Sequence, residues 1–149
     1  MTKFTETQTF SAIAYVVLGL SSVAAVYAVA VNPARSGAGL LWLFLPLGLT
    51  FNLLCQRTVV SDADLTVTFG ALLPLYRRQF PLPKIAVAEA VTYSPLTDYG
   101  GWGIRGWGRN VALNARGNRG VRIVLQDGSR VLVGSQRPEE LAQALGALG

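Results

Sequence analysis

The residues best equipped for chemistry lie between Tyr99 and Arg109, where GGWGIRGWG sets five glycines, two tryptophans and one arginine in a row. Glycine at this density permits positive φ and close chain approach, and successive amides can form a concavity that holds an anion. Gly101, Gly103 and Gly106 match the letters GxGxxG, but no strand leading into a helix surrounds them, so they do not make a dinucleotide fingerprint. The plainer reading is a bulged, tightly turned connection with one Trp in the core. Alternatively, Trp102 and Trp107 could sit in a lipid headgroup region, where an amphipathic ring is favoured. Arg105, Arg109, Arg116, Arg119 and Arg122 fall within eighteen residues that hold no acid. Sharing one face, they would form a basic patch worth about 1 kcal/mol per residue near anionic lipid; spread over loops, they would be solvated charges with no common direction. Trp102, Arg105, Trp107, Arg109, Arg116 and Arg119 are the candidate lipid- or partner-binding residues.

Catalytic stock is thin. The chain has no histidine, which removes the commonest zinc ligand, the commonest general base and every His-containing triad. Cys55 is the single cysteine, so neither a disulfide framework nor a redox pair exists. Asp62 and Asp64 could share a strand face and bind a cation, but Ser-Asp-Ala-Asp before a strand is more often a turn, and no third ligand is apparent. Asp98 and Tyr99 adjoin the glycine loop without an activated nucleophile. The segment from Asn114 to Gly120 is too short a basic tract to argue for nucleic acid. The expectation is a non-enzymatic protein with no cofactor, no metal and no nucleic-acid partner.

Two uncharged runs must carry these residues. Phe10 to Val31 is 22 residues rich in Ala, Val and Leu, about 33 Å as a helix and enough for a bilayer core. Gly39 to Cys55 spans about 25 Å by the same rise, short unless the bilayer thins or Gln56 and Arg57 reach back to the interface. The residues between, Asn32 to Ala38, hold a proline, small residues and Arg35, as a turn between antiparallel helices does. A cleaved signal peptide is the rival for the first run, but its apolar core is too long and follows Glu6. Residues 1–55 carry Lys3, Glu6 and Arg35 as their only charges, and residues 56–149 carry eleven basic and seven acidic groups. Arg57, Arg77, Arg78 and Lys84 after the second run place both termini in the cytoplasm. Pro46 and Asn52 read as structural, with Asn52 bonding a neighbouring helix.

Beyond Arg57 the period changes to two. Leu65, Val67 and Phe69 alternate with threonines up to Gly70 and predict a strand; Tyr76 to Phe80 and Ile85 to Tyr93 predict two more, and 95–120 reads as loop-rich. Asp127-Gly128 between two β-rich runs predicts a hairpin. Pro138, Glu139 and Glu140, with Leu141, Leu145 and Leu148, predict a C-terminal helix of about three turns packed on the sheet, with Ser135 helping to cap it. The organisation expected is a tail and helical hairpin over residues 1–57, with spans at 10–31 and 39–55, then an α+β domain over 58–149.

The order of two apolar helices, a strand ending at Gly70, Gly100 to Arg105, Gly117 to Val121, and Asp127 to Arg130 leading into Gly134 to Leu141 resembles small prokaryotic membrane proteins with a bacterial pleckstrin-homology-like domain. The resemblance implies a strongly bent antiparallel sheet or roll of seven strands closed by a C-terminal helix. It supplies no catalytic residues. The function expected is a membrane-anchored interaction module in the cell membrane that binds anionic lipid headgroups, a protein segment or another copy of itself. The alternative is an accessory subunit of a larger membrane complex, recognised through its helices.

Overall fold

The opening octet TKFTETQT alternates strictly: Phe4, Glu6 and Gln8 are buried while the residues between them are exposed, and the segment forms strand β1 (Thr2–Thr9). The structure is a computed structural model describing residues 1–31 and 38–146, without the side chains of residues 38–44 and 46. After β1 come helices α1 (Ala12–Ala30) and α2 (Ala38–Leu53), and the chain returns as β2 (Cys55–Ser61). β1 and β2 are antiparallel neighbours, with Thr9 opposite Cys55 and Thr2 opposite Ser61. The helix pair is therefore an excursion between two arms of one hairpin, fastened where the Phe10 N–H donates to the Leu54 carbonyl at 3.0 Å.

This arrangement corrects the expected organisation. Residues 2–9 are a strand of the β domain and no free tail, because β1 completes the pairing of β2. Cys55 begins a strand and does not end a helix. α1 has 19 residues, none buried, with a mean hydropathy of 2.1, long and apolar enough to cross a membrane; α2, at 16 residues, is shorter. Of the connection expected over residues 32–38, residues 32–37 lie outside the described residues, as does Leu148, and Ala38 begins α2.

Four strands form the first sheet in the order β1-β2-β3-β4, where β3 is Asp64–Phe69 and β4 is Tyr76–Pro81. The alternation predicted for β3 holds: Leu65, Val67 and Phe69 are buried and the threonines between them are half-buried. A short turn at Leu82–Lys84 leads into β5 (Ile85–Thr92), then helix α3 (Pro95–Tyr99), β6 (Gly103–Trp107), β7 (Asn110–Asn114), β8 (Arg119–Leu125), β9 (Arg130–Gly134) and helix α4 (Pro138–Ala144). The second sheet has the order β5-β8-β9-β7-β6. Its pairs are antiparallel except β7 with β9, so the β6–β7 hairpin has been added along the outer edge of β9.

The β8–β9 hairpin turns at Asp127-Gly128 as the sequence predicts, and the Ser129 N–H bound to the Asp127 carboxylate holds that group below the usual carboxylate range. The supposedly loop-rich stretch instead contains α3 and the β6–β7 hairpin, where a side chain on Gly106 would meet the Asn110 carbonyl oxygen. Glycine lets the two arms close there.

Phe4, Leu65, Val67 and Phe69 of the first sheet face Val121, Ile123, Val131 and Val133 of the second, and Leu141 and Leu145 of α4 join this core. α4 packs on β1, β5 and β8. A smaller apolar group of Tyr93, Ala112 and Leu132 lies with Tyr99 of α3. Burial pushes the Tyr93 phenol up, partly offset by the Asn114 amide that donates to it at 2.9 Å.

Polar residues bind β1 to the second sheet. The buried Glu6 carboxylate accepts from Ser135 Oγ at 2.6 Å and the Gln136 N–H at 2.9 Å. Gln8 and Gln56 both donate to the Gly134 carbonyl, at 2.9 and 3.3 Å. Ser135, expected to help cap the last helix, accepts from the Arg137 N–H at its start while its own proton goes to Glu6.

Candidate functional site

The surface that brings Trp102 and Arg105 together surrounds the point where the helices leave the β domain. Asn52, in the last turn of α2, does not bond a neighbouring helix as expected. Its amide grips the β3–β4 connection: Oδ1 accepts from the Leu72 and Leu73 N–H groups at 2.8 and 3.0 Å, and Nδ2 donates to the Leu73 carbonyl at 2.6 Å. Gly70 makes this tight connection possible, with φ of 134° and no room for a side chain beside the Leu73 carbonyl. The connection then holds Leu72 and Leu73 outward beside the helix base, 90% and 57% exposed.

On the other flank lies a cleft of about 330 Å³, lined by Phe10, Leu53, Leu54 and Phe69 on one side and Trp102, Ile104 and Arg105 on the other. Trp102 is fixed by its indole N–H, which donates to the Gly117 carbonyl at 2.9 Å; Arg105 Nε donates to the Trp102 carbonyl at 3.0 Å. The Gly103 N–H donates to the buried Asn114 side chain, anchoring the start of β6. Among the described residues, no acidic side chain lines the cleft. It can offer apolar contact, an aromatic ring and one positive charge.

No known protein family, curated protein or solved structure matches the chain.

Of the six candidate residues, Trp102 and Arg105 meet at the helix base. Arg116 lies in the loop that receives the Trp102 indole and lines a groove beside β1 with Thr9, Gln136 and Arg137. Trp107 and Arg109 are carried away from it: β6 separates its two ends by about 13 Å at 3.3 Å per residue. Trp107 is 94% exposed at the β6–β7 turn, and Arg109 donates to the Asp127 carbonyl at the β8–β9 turn. Arg119 is paired with Glu139 of α4. Of the two arrangements that the arginine spacing allows, one basic face or charges without a common direction, these positions follow the second. Neither Trp102 nor Trp107 is buried, so the loop does not supply the core tryptophan expected of a purely structural turn.

The other chemistry-bearing residues are accounted for locally. Gly103 and Gly106 belong to a strand that turns into a hairpin, where a dinucleotide site needs a helix. Asp98 accepts from the Ser94 N–H at the start of α3, and Arg105 is turned to Trp102. Asp62 lies 3.6 Å from Lys3, while Asp64 accepts from Ser61 Oγ at 2.9 Å; the two carboxylates serve a turn. Sequence reasoning missed Leu72, Leu73 and Ile104. Their signal was apolar residues bordering glycines, which also reads as a strand margin.

Proposed function

We propose that α1 and α2 form a membrane-spanning hairpin and that the β domain is a non-enzymatic interaction module held against the cytoplasmic face of the bilayer, where it contacts anionic headgroups. The observation that carries this reading is the helix base. Both helices depart from adjacent paired strands, so both ends of the excursion lie on the domain's side, and exposed Leu72, Leu73, Trp102 and Ile104 flank the departure point. Apolar and indole groups placed there would enter the interfacial zone, with Arg105 at headgroup depth. α2 is about 24 Å long, a deficit of a few Å that local thinning accommodates. Arg57, Arg77, Arg78 and Lys84 on the domain side support the cytoplasmic assignment.

We propose as well that the β domain is pleckstrin-homology-like. With the added β6–β7 hairpin set aside, β1 to β5, β8 and β9 number seven strands and precede a C-terminal helix, which supports the resemblance in strand count, although they form two sheets where it implies one bent sheet. The helix pair occupies the first hairpin connection and β6–β7 a later one.

Cysteine accessibility tests the topology. In a Cys55→Ser background, a membrane-impermeant maleimide should label Ser36→Cys on intact cells and Thr97→Cys only after permeabilisation. Labelling of both from the same side would rule out a spanning hairpin, and the reverse pattern would invert the domain's location.

A further inference from the structure

We infer that the outer face of the first sheet holds a site for a phosphate group carried by an anionic lipid, centred on Arg57 and Arg77. This rests on the membrane placement proposed above and adds a phosphate contact on residues outside the glycine-loop candidates.

Strand register puts Thr7, Arg57, Thr68 and Arg77 directly opposite one another across β1, β2, β3 and β4. All four lie on the face turned away from the core, because Gln56, Val67 and Phe80 on the alternate positions are buried. Hydroxyl and guanidinium groups therefore alternate along one row. Arg57 and Arg77 flank the single strand β3, about 10 Å apart at the backbone for strands spaced at 4.8 Å. Guanidinium groups on long, flexible stems can close that distance around one phosphate, and Thr68 between them supplies a hydroxyl donor. The row crosses a cleft of about 630 Å³, whose wall at the helix end is Gly70, Ala71, Leu72 and Pro74.

The two arginines of this cleft are uncommitted among the described residues, as are Arg122 and Arg130 on the second sheet. Among the described residues neither Arg57 nor Arg77 has a hydrogen-bond or ion-pair partner, whereas Arg109, Arg119 and Arg137 each engage a carbonyl or a carboxylate. Among the described residues the one acid lining the cleft, Asp64, accepts hydrogen bonds from Ser61 and Gln79. Along β3 it stands four residues from Thr68, about 13 Å away. Two like charges thus share a concave surface whose one carboxylate stands at its far end, and a phosphate between them would supply a nearer counter-charge.

Position selects the source of that phosphate. Arg57 follows the end of α2 by four residues, and the same connection that bounds the cleft carries exposed Leu72 and Leu73. With α2 in the bilayer, the row lies at headgroup level while those leucines meet the upper acyl region. A lipid satisfies both, its phosphate on the arginines and its chains beside the leucines; free phosphate satisfies only the first.

The test uses the full chain in neutral detergent micelles and counts bound lipid by native mass spectrometry, with phosphatidylglycerol, phosphatidylcholine and inorganic phosphate as separate probes. The chain should retain phosphatidylglycerol in preference to phosphatidylcholine, and Arg57→Ala/Arg77→Ala should weaken that binding roughly tenfold or more with an unchanged circular dichroism spectrum. Arg109→Ala/Arg119→Ala, remote from the cleft, should bind as the parent does. Undiminished phosphatidylglycerol binding by the Arg57/Arg77 variant would overturn the site. Inorganic phosphate held as tightly as the lipid would overturn the lipid as its source. A chain that spans the membrane but shows no preference among the lipids loses only this site; a chain that does not span loses the reading beneath it.

Discussion

A fragment of residues 57–149 is expected to be unfolded in solution, while a chain joining residues 1–10 to 54–149 through Asn-Gly folds as a soluble domain. The fragment lacks β1, and with it the pairing partner of β2, the buried Phe4 side chain and the Glu6 carboxylate that receives Ser135 and Gln136. Burying a Phe contributes about 1.5–3 kcal/mol, and each hydrogen bond to a charged group about 1.5–3 kcal/mol. Together these approach the whole stability of a domain this size, typically about 5–15 kcal/mol. The joined chain keeps every one of those interactions, because Phe10 and Leu54 are already hydrogen-bonded neighbours and a two-residue turn suits adjacent antiparallel strands. Far-ultraviolet circular dichroism with urea denaturation separates the outcomes: a cooperative transition for the joined chain and none for the fragment. A cooperative transition of the fragment would show that β1 is dispensable.

Gly70→Ala should be among the most damaging single substitutions in the β domain. A Cβ there would lie 1.9 Å from the Leu73 carbonyl oxygen and 3.1 Å from the Asn52 amide nitrogen, in backbone held at a φ of 134°. Backbone strain and overpacking together are expected to cost about 2–5 kcal/mol. Gly128→Ala provides the contrast: its φ is 81°, but nothing lies within 4 Å of the added carbon, so only the conformational cost of about 1 kcal/mol remains. Thermal midpoints of the two variants in the full chain in detergent micelles, where Asn52 is present, measure the difference. Equal losses would mean that the β3–β4 connection yields easily and does not hold Leu72 and Leu73 in place.

The parts of this fold that sequence reveals are those whose signal is local. β3 is legible because Leu65, Val67 and Phe69 alternate with threonines, and the β8–β9 hairpin because Asp127-Gly128 has few uses other than a tight turn. β1 is not, because two of its three buried positions are Glu6 and Gln8; they are inward only because Ser135, Gln136 and Gly134 receive them from the far end of the chain. β7 shows no alternation since Val111 to Asn114 are buried in succession, and β6 is hidden by glycines that close its hairpin. The candidate site was legible by composition but not by direction. Trp102 and Arg105 meet the helix base, while Arg109, close to them in sequence, is carried to the opposite end by the hairpin, and Arg119 turns to Glu139. The arginines that share a row, Arg57 and Arg77, are twenty residues apart and are aligned only by strand register.

The most direct test of the central claim, that the α1–α2 excursion anchors an independently structured β domain to the bilayer, is alkaline carbonate fractionation of the full chain beside the joined chain lacking residues 11–53. The account predicts that the full chain stays with the membrane pellet after the wash while the joined chain, folded, is released to the supernatant. A full chain released by carbonate, or a folded joined chain that remains in the pellet, would contradict it.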